Sequence, residues 1–202
     1  ENKVCGNLWN GIEVNGSSWN DLVNNEVCDN GRNGIQLTGA DHNNLTGNVV
    51  YNNTLNGISL TGSNWNNLSG NQVINNTQNG ISLSGSLNNT LYNNTAVQNK
   101  QNGISLDLGS NGNDLVLNNA SNNAWNGIAV NASGWNNLTS NQVNDNPYSG
   151  INLTNSNWNT LYNNTANSNS QNGIVLTNSS NNTLYQNIAR YNQQDGILIN
   201  LS

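Results

Sequence analysis

Charge is scarce in this chain. Four residues of 202 are Lys or Arg and ten are Asp or Glu, so 7% are charged and the formal net charge is −6; typical soluble domains carry roughly 25% charged residues. The basic residues Lys3, Arg32, Lys100 and Arg190 are scattered. That argues against nucleic acid, whose binders cluster Lys and Arg to displace counterions. No apolar run approaches the roughly 20 residues of a membrane span. Methionine and phenylalanine are absent, proline occurs once, at Pro147, and histidine once, at His42. The chain starts at Glu1 with no signal-like segment, so a processed protein or a fragment is expected.

Asparagine is what the chain has in excess, 56 residues of it. Such a composition alone suggests disorder or aggregation, unless the apolar residues keep a strict period. They do. Taking the glycine of each Asn-Gly-Ile-like triplet as position 0 gives Gly11, Gly34, Gly57, Gly80, Gly103, Gly127, Gly150, Gly173 and Gly196, spaced by 23 except for one step of 24. The extra residue falls near Asp107-Leu108-Gly109. Position 1 is always Ile and position 3 always aliphatic, while position 6 is Ser except at Ala40. Position 11 is Leu, from Leu22 to Leu184, and position 16 is Val or Ala, from Val4 to Ala189. These sites alternate with variable polar ones, which is strand periodicity.

A leucine-rich repeat has a similar period but a different Leu spacing and longer convex segments. Three short strands per repeat fit better, with successive copies stacked as coils about 4.8 Å apart. The fold expected is all-β: one parallel β-solenoid domain over residues 1–202, about nine coils of 23 residues. Asn recurs at position 9 (Asn20 to Asn182), position 14 (Asn2 to Asn187), position 19 (Asn7 to Asn192) and position 22 (Asn10 to Asn172, with Ser149 and Asp195 substituting). Each lies at a boundary between strand segments, where Asn tolerates a left-handed corner and stacked amides form a ladder. These asparagines are expected to be scaffold.

The segment "NGISLTGSNWNNLSGNQVINN", from Asn56, resembles the right-handed parallel β-helix repeats of the NosD-like and carbohydrate-binding/sugar-hydrolase group, found in archaeal cell-surface proteins. The resemblance covers the whole chain and implies a right-handed β-helix; the group includes enzymes, binding modules and surface structures.

Polysaccharide enzymes of this fold gather acidic and basic groups on one outward face, because acid–base work needs them within reach of one substrate atom. Outward positions 2 and 4 offer Glu13 and Asp107, four coils and roughly 19 Å apart. His42, beside Asp41, takes position 8 between Trp19 and Trp65, with Trp135 and Trp158 farther along. It is expected to fill a step in an aromatic stack. With no second His, neither a metal site nor the copper role of some NosD relatives is expected, and no catalytic residue, cofactor or enzymatic activity. The column Trp19, Trp65, Trp135, Trp158 suits assembly or glycan stacking. Cys5 and Cys28 share position 17 one coil apart and are expected to form a disulfide, which belongs to an oxidising, extracellular compartment.

Fifteen Asn-x-Ser/Thr sequons are candidates for glycosylation: Asn15, Asn44, Asn52, Asn67, Asn75, Asn88, Asn93, Asn119, Asn131, Asn137, Asn152, Asn163, Asn178, Asn181 and Asn200. Both ends fall in mid-coil without a cap, and bare strand edges template further pairing. The sequence therefore suggests an extracellular structural protein that self-associates head to tail, and laterally, into a filament, sheath or surface layer. The alternative is a polysaccharide-binding or -processing module of a larger surface protein.

Overall fold

Every Gly-Ile segment begins a strand, because the small residue lets the chain pass close to the coil above before the aliphatic pair turns inward. In the computed structural model, which describes residues 1–201, these segments form a nine-stranded parallel sheet from Ile12–Asn15 to Ile197–Asn200. The Leu segments form an eight-stranded sheet, Asp21–Val23 to Thr183–Tyr185, and the Val/Ala segments a five-stranded one, Lys3–Cys5 to Thr95–Val97. Equivalent repeat positions pair in register: Ile58 with Ile81, Leu68 with Leu91, Val50 with Val73. Ser202, the expected point of exit and the last residue of the Asn200 sequon, lies outside the described residues.

The interior is a column of aliphatics. Ile at position 1, Leu at 11 and Val or Ala at 16 are fully buried from Val27 to Ile174. Glycine at position 0 is required by close approach: a Cβ on Gly57 would lie 2.8 Å from the Gly80 carbonyl and 2.7 Å from Asn76 Nδ2.

The asparagines at positions 9, 14 and 19 point inward beside this column. Asn71 shows the pattern. Its Oδ1 accepts from the backbone N–H (3.0 Å) and Nδ2 (2.9 Å) of Asn48 in the preceding coil. Its Nδ2 donates to Asn94 Oδ1 (2.9 Å) in the next coil and to the Leu45 carbonyl (2.8 Å). Asn71 thus fills its donor and acceptor capacity, as burial demands; among the ladder amides Asn136 Nδ2 is the exception, buried without a partner. The ladder at position 22 runs the opposite way, with Asn56 donating from N and Nδ2 to Asn33 Oδ1 behind it.

One expectation about these asparagines needs correction. They are not the left-handed residues. Positive φ falls at positions 8, 13 and 18, one residue before the inward ladders, and at position 5 before the inward Ser; Trp65 (59°), Asn75 (54°) and Gly62 (53°) are examples. The left-handed residue turns the corner, and the turn aims the next side chain inward.

The third sheet thins after Val97 into isolated bridges: Thr95 to Asn119, Asn119 to Gln142, Gln142 to Thr165 and Thr165 to Ile188. Position 17 explains it. There, Ser121 Oγ, Asn144 Oδ1 and Asn167 Oδ1 accept the N–H of Asn144 (3.0 Å), Asn167 (2.8 Å) and Arg190 (2.9 Å). Side-chain acceptors have displaced carbonyls from the strand ladder.

Cys5 and Cys28 are register partners with Cα atoms 4.5 Å apart, joined by a disulfide. Reduction is expected to lower stability by about 3 kcal/mol, on the chain-entropy account for a loop of this size. Intact mass after alkylation checks the bond, which predicts no alkylated cysteine until reductant is added. For the ladder, Asn71→Ala leaves four buried partners each short of a bond and should cost about 3 kcal/mol or more. Exposed Asn67→Ala should change stability by about 0.5 kcal/mol or less. Equal shifts in urea titrations of the two variants would show that the ladder is not scaffold.

Candidate functional site

The residues at position 8 stand at the corner that precedes the eight-stranded sheet. Trp19, His42, Trp65, Trp135 and Trp158 all have left-handed backbones, with φ of 65°, 56°, 59°, 61° and 62°. The coil repeat stacks their rings. Trp19 and His42 lie 4.4 Å apart and 2° from parallel, His42 and Trp65 6.3 Å and 6°, Trp135 and Trp158 5.0 Å and 2°. His42 is thus a member of the stack. Its neighbour Asp41 accepts the backbone N–H of Asn64 at 2.6 Å through Oδ1.

A bulky side chain in the left-handed region costs about 1–2 kcal/mol. Asn88, Gly112 and Asn181 occupy the same repeat position with residues suited to it. Stacking returns about 0.5–1.5 kcal/mol, which at most offsets that strain. The tryptophans are 49–77% exposed, so burial does not account for them either. Folding alone does not require indole here.

Sequence reasoning missed three further aromatic groups. Tyr162 and Tyr185, at outward position 12, stack at 4.4 Å. The tyrosines at one alternating site were the available signal. Thr160 and Thr183 lie two residues before them, so the last coils carry two aromatic rails, Trp135–Trp158 and Tyr162–Tyr185, beside a polar strip of Asn137, Thr160 and Thr183. The rails are roughly 10 Å apart, with a rise of about 4.8 Å per coil. At position 21 the Arg32 guanidinium sits 3.7 Å over the Trp9 ring, and farther along come Trp125 and Tyr148, both exposed.

Glu13 and Asp107 lie in strands four steps apart in the nine-stranded sheet. Glu13 Oε2 accepts from Asn10 Nδ2 at 3.2 Å, and Asp107 Oδ2 from Ser105 Oγ at 2.8 Å. Outward position 2 is narrower than its periodicity implies, since Gln36, Ser59 and Ser105 are buried. Elsewhere Lys100 and Asp145 do line one groove, at the corner formed by positions 18 to 20.

Cys5, Glu26 and Cys28 bring three ligand-type atoms within 4.8 Å of one another, but the two sulfurs are bonded to each other. Glu26 Oε1 instead accepts from Lys3 Nζ at 2.8 Å and from the Tyr51 hydroxyl at 2.7 Å. The Lys3 bond, then the Tyr51 bond, holds the Glu26 carboxyl below its ordinary range, and Glu26 pushes the Tyr51 phenol up. This cluster staples the first coils. All fifteen sequon asparagines are exposed or half-buried, and Asn67, Asn75, Asn163 and Asn178 spend Nδ2 on a neighbouring coil.

The family described as a right handed beta helix region matches residues 10–159 and, again, 136–202. No curated protein matches the chain. Among solved structures, the periplasmic alginate epimerase AlgG is similar with a TM-score of 0.75 and 22% identity, over 89% of this chain and 49% of that one. This chain therefore spans about half the length of AlgG. The A-module of the Azotobacter vinelandii mannuronan C-5 epimerase AlgE6 has a TM-score of 0.77 and 12% identity, covering 98% and 73%. Pectate lyase Pel9A has a TM-score of 0.62 and 16% identity, covering 74% and 46%. At these identities the likeness is one of fold.

The expectation that the chain is not an enzyme does not stand, since the solved structures of similar fold include two epimerases and a pectate lyase. That expectation weighed Glu13 and Asp107 on one face and His42 at one corner, and a solenoid has three faces and further corners between them. The disulfide belongs to an oxidising compartment, extracellular or in the cell envelope.

The backbone strain gives a test. Trp65→Asn should raise unfolding free energy by about 1 kcal/mol, because its ring lies farther from His42 than the Trp19 ring does and Asn accepts a left-handed backbone. A loss of stability in denaturant titration would show that the indole is a packing element.

Proposed function

The chain belongs to the right-handed β-helix family, and from that membership we propose that it is a cell-surface module that binds or processes polysaccharide on its aromatic rails. The observation that carries this is the set of exposed indoles on left-handed backbone. They cost folding energy and stand in line along the rod axis. A sugar ring has an apolar C–H face and a hydroxyl rim. Trp135, Trp158, Tyr162 and Tyr185 offer flat apolar faces with a polar handle, and Asn137, Thr160 and Thr183 offer amide and hydroxyl partners alongside. The aromatic faces continue over three successive coils, Trp135, then Trp158 with Tyr162, then Tyr185, which suits a polymer over a single small molecule. The polysaccharide enzymes of similar fold support this reading over a filament or sheath. A homopolymer would use the same rings as a subunit interface and bury them.

Isothermal titration against a panel of soluble polysaccharides, with product analysis for turnover, tests the proposal. Wild-type protein is expected to bind at least one polymer, and Trp135→Ala with Trp158→Ala to weaken that binding at least tenfold without loss of stability. No binding across the panel, together with sedimentation as a large oligomer, would return the assembly reading to first place.

A further inference from the structure

A groove of about 370 Å³ runs along the rod on a different side from the rails, between the residues of positions 18 and 20. Its sides are Asn75, Gln98, Asn122 and Asp145 on one hand and Lys100, Ala124 and Pro147 on the other, with ladder amides Asn99 and Asn123 between them. The residues after Ala124 and Pro147 are Trp125 and Tyr148, which with Asn126 enclose a second cleft of about 210 Å³. Consecutive residues of the chain, Ala124-Trp125 and Pro147-Tyr148, thus line the two concavities.

The two aromatics differ from the rails in one respect. Trp135 and Trp158, one coil apart, stack face to face. Trp125 and Tyr148, also one coil apart, both line an open cleft. Pro147, the only proline in the chain, fixes the backbone directly before Tyr148, and the Tyr148 N–H donates to the Trp125 carbonyl at 3.3 Å. The wall is held from below.

We infer that the groove and the adjoining cleft form a second saccharide site, taking a short stretch of uncharged glycan with one sugar ring between Trp125 and Tyr148. The inference rests on the reading of the chain as a polysaccharide module. Charge selects the ligand class. One Lys and one Asp, two coils or roughly 10 Å apart along the axis, balance within the groove, and the rest of its polar lining is amide. The protein as a whole is at −6, which disfavours a polyanion. Amides, a carboxylate and an ammonium together supply the mixed donors and acceptors that neighbouring hydroxyls use. An apolar cleft with a few convergent polar groups is the usual form of a small-ligand site.

The test uses the full chain and two probes, neutral gluco- and manno-oligosaccharides and acidic galacturonate oligosaccharides, followed by amide chemical shifts and titration calorimetry. Neutral oligosaccharides are expected to shift the side-chain amides of Gln98, Asn122 and Asn126, and Trp125→Ala to weaken them at least tenfold. Trp135→Ala with Trp158→Ala should leave that affinity unchanged while weakening long polysaccharides. Preferential binding of the acidic probe, lost in Lys100→Ala, would overturn the ligand class. Polysaccharide binding that depends on Trp135 and Trp158, with no shift at Gln98 or Asn122, would overturn this site and leave the rails standing. No binding of any probe or polymer would sink both.

Discussion

The buried side-chain amide, bonded to the coils above and below, is the constraint on which the rest of this structure depends. A rod this thin has little apolar volume, and a corner needs backbone groups turned out of the strand ladder. Asn at positions 9, 14 and 19 meets both difficulties. Asn94, for example, receives Asn71 Nδ2 and N, then reaches Asn118 Oδ1 at 3.0 Å and the Leu68 carbonyl at 2.8 Å. An unpaired amide at the same depth would cost about 1–3 kcal/mol, so each copy is stable only because its neighbours exist. Polar composition and a packed interior are compatible here because the polar atoms bond to their own repeats.

The same geometry frees the outer surface. Once inward positions hold the rod, the left-handed residue at each corner faces solvent, where Asn or Gly is the low-strain choice. Trp at position 8 departs from that choice, and the departures fall in stacked groups, not singly. Asn88 and Gly112 separate Trp65 from Trp135 and show that the corner closes without an aromatic ring. The local rule is broken at the positions proposed above to bind.

Much of the fold was legible in the sequence. The glycine spacing set the coil length, the Ile, Leu and Val/Ala columns set the inward faces, and the 23-residue offset of Cys5 and Cys28 set the bridge. What failed to show was one residue fine. Asn at a corner reads as the left-handed residue because that is its common role, yet here φ is positive at Asn24 and not at Asn25. The fading third sheet was also hidden, since Ser121 and Asn144 read as ordinary outward polar residues until their bonds to backbone N–H are seen. The surface was harder still. Trp125 and Tyr148, two residues before Gly127 and Gly150, sit in a column whose commonest residue is Gln, at Gln78, Gln101, Gln171 and Gln194, with Arg32 and Leu55 as well, so the column reads as a variable polar one.

The opposed sense of the ladders gives the rod a direction. At positions 9, 14 and 19 the amide-to-amide bonds run toward the C-terminal coils, as in Asn43 to Asn66, Asn48 to Asn71 and Asn53 to Asn76, whereas at position 22 they run back, as in Asn79 to Asn56. Three columns of parallel amide dipoles against one leave an imbalance along the axis. The surface met on travelling up the rod is therefore not the surface met on travelling down. A glycan chain has two chemically distinct ends of its own, so on the polysaccharide reading proposed above its two orientations along the rod would not be equivalent.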